Sequence, residues 1–148
     1  MCDVIKNDCD LDQSLSNTSS NIDKTGSNSA LAEAEKLGII ASKVGFDWPT
    51  SSGSFAKVNE ELHEVAEAER LGNHEYINEE IGDLLFAVVN LARHLRVDSE
   101  YALDCANQKF AARFKKMEQF TSANKKSLKD YSLDELEQLW LQVKSNEL

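Results

Sequence analysis

The sequence predicts an all-helical fold, and three observations carry that prediction. From about Ser29 onward the apolar residues recur with a period near 3.6. Runs that alternate apolar and polar with period two are absent, and only one proline, Pro49, occurs among 148 residues. Each predicted element follows from that periodicity and from the residues that interrupt it.

Residues 1–28 are rich in Asn, Ser and Asp and carry no periodic apolar face. Such a stretch cannot bury enough surface to offset the entropy of ordering, so a disordered polar tail is expected there, with one helical domain over residues 29–148. A first helix spans about Ser29 to Val44, with Leu37, Ile40, Ala41 and Val44 on its apolar face and Gly45 at the stop position. The turn Phe46-Asp47-Trp48-Pro49 reads either as an apolar plug that anchors a loop or as a ligand-side loop offering Phe46 or Trp48 for stacking.

A second helix, capped by Ser52 or Ser54, runs to Leu71 and ends at Gly72-Asn73. Its expected buried stripe is Phe55, Val58, Leu62, Val65 and Ala66. A third helix, from about Glu75 to Leu95, shows a wide apolar band of Ile77, Ile81, Leu84, Leu85, Val88, Leu91, Ala92 and Leu95. A fourth, capped by Asp98 or Ser99, reaches about Phe120 with Leu103, Ala106, Phe110, Phe114 and Met117 on its face. Lys109 and Arg113 border that face, as anion ligands or as partners for acidic helices. After a basic linker at residues 124–127, Ser132 and Glu135 match a capping box that opens a last helix. Leu133, Leu136, Leu139, Trp140 and Val143 form its apolar side.

The formal net charge of −10 argues against a nucleic-acid polymer as partner, because phosphate backbones are neutralised by Lys and Arg. An acidic surface that merely keeps the protein soluble explains the charge equally well. Cys2, Cys9 and Cys105 have no metal-site spacing and fit a reduced, intracellular protein. No apolar run approaches the ~18 residues of a membrane span, so no membrane partner is expected and the location expected is cytoplasmic.

The stretch from Lys57 to Asp83 holds two acidic clusters at helical spacing, Glu60-Glu61-x-x-Glu64 and Glu79-Glu80-x-x-Asp83. Carboxylates three residues apart share one helical face. On the helical wheel Glu61 lies about 40° outside the second helix's stripe and Glu80 lies at the edge of the third helix's band, with Glu64 and Asp83 each about 60° further out. A carboxylate at a core margin needs a partner, since desolvating an unpaired one costs several kcal/mol. Oxygen ligands in this number suit Mg2+ or Mn2+. His63, His74 and His94 lack zinc spacing. Glu60-x-x-His63 has the form of one half of a di-iron site, but no second such pair exists. No glycine-rich loop follows a strand, which excludes a P-loop or dinucleotide fold, and no motif supports Ser-His-Asp catalysis.

Five stretches, in this order and spacing, resemble the MazG family of nucleoside triphosphate pyrophosphohydrolases, particularly its carboxy-terminal catalytic domain. They are VGFDWP at Val44–Pro49, KVNEELHEV at Lys57–Val65, EEIGDLLFAVVNLARHL at Glu79–Leu95, NQKFAARF at Asn107–Phe114 and LEQLWLQVK around Trp140. The resemblance implies an antiparallel all-α bundle that assembles as a homodimer or homotetramer. It also implies Mg2+-dependent cleavage of a nucleoside triphosphate to monophosphate and pyrophosphate. The metal ligands it implies are Glu61, Glu64, Glu80 and Asp83, and the nucleotide contacts Lys57, Lys109, Arg113 and Trp140. Glu60 and Glu79 are the further acids of the motif, either of which would orient or deprotonate water. Two alternatives stand beside this reading: a dCTP- or dUTP-selective pyrophosphatase of the same superfamily, and an acidic helical binding module without catalysis.

Overall fold

The computed structural model describes residues 29–145, so the expected tail at residues 1–28 lies outside the described residues. Five α-helices occur there: α1 (Ala30–Lys43), α2 (Ser51–Leu71), α3 (His74–His94), α4 (Ser99–Ala123) and α5 (Leu133–Lys144), with a short 3-10 turn at Leu128–Asp130. No strand occurs among the described residues, so the predicted all-α class holds. The chain divides into two compact units on either side of Glu100.

In the first unit, local chemistry sets the helix ends. Ser29 caps α1 by accepting from the Ala32 amide at 3.2 Å. Gly45, at φ +83°, takes the left-handed position after the helix that a side chain would oppose. α2 starts earlier than Ser52 or Ser54 would set it. Thr50 is its N-cap, directly after Pro49, although the Thr50 side chain makes no capping bond. The two-residue joint Gly72-Asn73 then reverses the chain: Gly72 is left-handed at φ +67°, and the Asn73 side chain accepts from the Glu75 and Tyr76 amides to open α3. Two 21-residue helices joined so tightly form an antiparallel hairpin.

The face that this hairpin buries is not the one the apolar pattern marks. On α2 the buried residues are Ser54, Glu61 and Ala68, and on α3 they are Glu80, Ala87 and Val89. Ser54, Glu61 and Ala68 recur every seven residues, as do Glu80 and Ala87, which is the period of a helix-pair seam. The expected stripe lies to the sides of that seam: Phe55, Leu62, Ile81, Leu85 and Val88 are exposed, whereas Val58, Val65, Ile77, Leu84, Leu91 and Ala92 are half-buried. The expected face of α1 is likewise open at Leu37, Ile40 and Val44. α1 instead approaches α3 through the buried Gly38, where a Cβ would stand 3.1 Å from both the Arg93 Nε and the Asn90 Oδ1.

The second unit buries apolar side chains in the ordinary way. Met117 of α4 packs with Leu139 and Val143 of α5, and Phe120, Leu128, Leu136 and Trp140 close around them. α4 runs one turn beyond the expected Phe120, to Ala123. The capping box opens α5 as its sequence predicts, with the Ser132 amide donating to Glu135 Oε2 at 2.7 Å and the Glu135 amide to Ser132 Oγ at 3.3 Å. A second box, Ser127 with Asp130, opens the 3-10 turn directly after residues 124–127, the segment expected to be a linker.

Candidate metal and nucleotide site

The hairpin geometry places the carboxylates by simple counting from its joint. Glu64 and Glu80 are each eight residues from Gly72, and Glu61 and Asp83 are each eleven. In an antiparallel pair such residues lie side by side, so two i,i+3 pairs become one cluster. Within Glu60, Glu61 and Glu64, one carboxylate oxygen from each residue falls within 4.8 Å of the others, and the same holds for Glu61, Glu80 and Asp83. Glu61 belongs to both groups and is the pivot of the site.

Burial sharpens the arrangement. Glu61 is 3% exposed and Glu80 is 7% exposed, inside the seam rather than at a core margin. One Glu61 oxygen receives the Lys57 ammonium, whereas the other, Oε2, is buried with no hydrogen-bond partner. Lys57 also reaches Glu60 at 2.8 Å, and the two carboxylates hold its ammonium pKa well above the ordinary lysine value. The side-chain contact with Glu61 raises the Glu64 pKa, and desolvation and the charges of Glu61 and Glu80 add to the rise. That contact is a hydrogen bond only while one of the two carboxyls carries a proton. A bare, buried carboxylate oxygen among crowded acids fits a hard divalent cation with oxygen ligands.

Tyr76 belongs to this site and was not singled out from sequence. The Glu80 charge foremost, with desolvation and a hydrogen bond to Glu80, raises its phenol pKa. The available signal was its place one helical turn before Glu80. Glu79 is exposed and belongs to neither carboxylate group. His63 joins neither, and its Nδ1 lies 2.6 Å from the Asn59 carbonyl oxygen.

The Phe46–Pro49 turn is anchored chiefly through its acid. Asp47 Oδ1 accepts from Arg93 Nη2 at 2.7 Å, from His94 Nε2 at 2.8 Å and from the Trp48 amide at 2.9 Å. These partners, with the Arg93 hydrogen bond foremost, lower the Asp47 pKa to about 2. Trp48 lies over Gly53, where any Cβ would meet its ring at 2.3 Å, while Phe46 projects into solvent.

In the second unit, Arg113 stacks over the Trp140 ring at 5.8 Å from its centroid, and Phe110 meets the same ring at 5.1 Å. Phe114 stacks on Phe110, and these rings with Met117 and Leu136 line a groove of about 810 Å3. Lys109, one turn before Arg113, is exposed. The unit thus offers an aromatic wall with a guanidinium over it.

Fold and site together define the class: an all-α protein whose helix hairpin converges carboxylates on one small volume. Residues 50–118 match the MazG nucleotide pyrophosphohydrolase domain. It is 41% identical over 118 residues to the nucleoside triphosphate pyrophosphohydrolase/pyrophosphatase MazG of Thermotoga maritima, covering 80% of this chain and 45% of that protein. It is also 41% identical over 121 residues to the nucleoside triphosphate pyrophosphohydrolase of Escherichia coli K12, covering 80% of this chain and 46% of that protein. A 75-residue stretch is 39% identical to the uncharacterized protein YabN of Bacillus subtilis, covering 50% of this chain and 15% of YabN. The chain therefore spans a little under half the length of the first two relatives.

Proposed function

We propose that this protein hydrolyses nucleoside triphosphates to the monophosphate and pyrophosphate, with Mg2+, or Mn2+ in its place, held by Glu61, Glu64, Glu80 and Asp83. One observation carries the reading: Glu61, the carboxylate shared by two three-acid groups, is buried with Oε2 unpartnered. The matches to nucleoside triphosphate pyrophosphohydrolases support the same reaction. A bound divalent cation supplies neutralisation of phosphate charge and a lower pKa for water.

The remaining work falls to the chain's own groups. Glu60 is exposed yet inside one carboxylate group, so it is the better placed of the two further acids to orient a water and take its proton. That water adds across the α–β phosphoanhydride, whose P–O bond breaks to release pyrophosphate. Lys57 serves phosphate oxygens. Lys109 and Arg113 are assigned to phosphate charge and Trp140 to the base. The exposed apolar stripes of α2 and α3 support assembly as a homodimer or homotetramer, which light scattering would measure. A cytoplasmic enzyme of this kind would clear selected nucleotides from the pool.

The test is to quantify monophosphate and pyrophosphate released from each common NTP and dNTP, with and without Mg2+. Turnover that needs Mg2+ and yields those two products supports the reading. No product from any nucleotide would overturn it, and activity confined to dCTP or dUTP would replace it with the selective enzyme.

A further inference from the structure

The position of the Lys57 ammonium has a consequence beyond nucleotide contact. It pairs with Glu60 at 2.8 Å and with Glu61, the carboxylate shared by both acidic groups. Lys57 and Glu61 are one helical turn apart, so the ammonium reaches the cluster from its own helix, with no help from α3. The lysine side chain is 36% exposed whereas that of Glu61 is 4% exposed, so the cation can swing out to water while the carboxylate cannot. A compact ammonium on a flexible stem suits that movement. One positive charge cannot satisfy Glu61, Glu64, Glu80 and Asp83 together, and the bare Glu61 Oε2 shows that it does not.

We propose that Lys57 is a resident counter-ion of the acidic cluster that a divalent cation displaces, so that metal binding releases its ammonium toward the phosphate oxygens of the substrate. The proposal rests on the metal site described above. A divalent ion drawing on Glu61 weakens the carboxylate's hold on Lys57 and repels the ammonium directly. The released lysine keeps only the exposed Glu60 as its carboxylate partner, and a polyphosphate offers it several anionic oxygens. Metal thus comes before phosphate, and the same residue that tempers metal affinity contributes to nucleotide affinity.

The experiment uses the full chain after chelator treatment, titrated with Mn2+ by calorimetry, in the wild type, K57M, K57Q and E61Q. Circular dichroism of each variant checks the helical content. Both neutral Lys57 variants are expected to bind Mn2+ about 3–5-fold more tightly than wild type, the size of one surface-accessible ion pair. They should also bind pyrophosphate more weakly once Mn2+ is saturating. Amine acetylation read by mass spectrometry gives a second, independent measure. In the wild type, labelling of Lys57 should rise several-fold when Mg2+ is added, whereas a static ion pair would leave it unchanged. Unaltered or weaker Mn2+ binding in both Lys57 variants, or constant Lys57 labelling, overturns the exchange while leaving the metal site standing. A wild type that binds no Mn2+, or an E61Q variant that binds it normally, overturns the metal site and the exchange together.

Discussion

The α2–α3 hairpin and the α4–α5 unit solve the same packing problem with opposite chemistry. Between α4 and α5 the contact is Met117, Leu139 and Val143, and it needs no ligand to be favourable. Between α2 and α3 the contact is Ser54, Glu61, Ala68, Glu80 and Ala87, with two carboxylates buried where apolar side chains would stabilise more. Many large apolar residues of α2 and α3, among them Phe55, Leu62, Ile81, Leu85 and Val88, flank that contact and are exposed in the single chain. One pair of helices is packed for stability, and the other gives up stability at its seam to hold charge. Substitutions at the two seams should therefore have opposite signatures.

The largest effect is expected at the pivot. Glu61→Gln or Asp83→Asn should lower nucleotide turnover on the order of 10^3-fold while leaving the helical circular dichroism unchanged, as expected for losing one preorganised charge of the site. Near-wild-type rates in either variant would remove these carboxylates from the reaction. Next comes the apolar seam: Leu139→Ala should cost about 2–5 kcal/mol in denaturant unfolding with little change in Mn2+ affinity. A large change in Mn2+ binding would show that the contrast between the two seams is false.

Glu80→Leu inverts the expectation, because a buried acid is replaced by an apolar side chain of similar volume. It should raise the metal-free stability by about 1–4 kcal/mol and abolish any metal-dependent rise in melting temperature. A destabilised Glu80→Leu protein would mean that the acid is part of the packing rather than a concession to the site.

The helices themselves were legible in the sequence. α1 to α5 lie within a few residues of their expected positions, because caps and stops such as Ser29, Gly45, Gly72 and the Ser132–Glu135 box act locally. The buried faces of α1 to α3 were not. Phe55 and Leu62 mark the apolar side of α2, but periodicity reports only that a side is apolar, not whether this chain or another molecule covers it. The seam Ser54-Glu61-Ala68 reads as polar and is buried all the same. The clusters Glu60-Glu61-x-x-Glu64 and Glu79-Glu80-x-x-Asp83 were visible because their spacing is local, and the two-residue joint at Gly72-Asn73 lets Glu61 of the first approach Glu80 and Asp83 of the second. The Asp47 clamp was invisible, since its partners Arg93 and His94 lie 46 and 47 residues away along the chain.

That clamp supplies the smallest expected effect and a control that lies outside both seams. The Asp47 pKa falls from 3.8 to about 2, chiefly because Arg93 hydrogen-bonds the carboxylate. A carboxyl whose pKa is depressed on folding contributes stability above its unfolded value and loses that contribution as pH falls toward the folded value. Acid unfolding of the wild type should therefore include an Asp47 contribution that is intact above about pH 4 and disappears between 3.8 and about 2. Asp47→Asn should remove it, lowering stability at neutral pH by about 1–3 kcal/mol, the worth of charge-assisted hydrogen bonds to a half-buried group. The difference from wild type should shrink as the pH drops through that window. A difference that stays constant down to pH 2 would show that Asp47 acts by shape alone, through the turn that sets Trp48 over Gly53, and not by its charge.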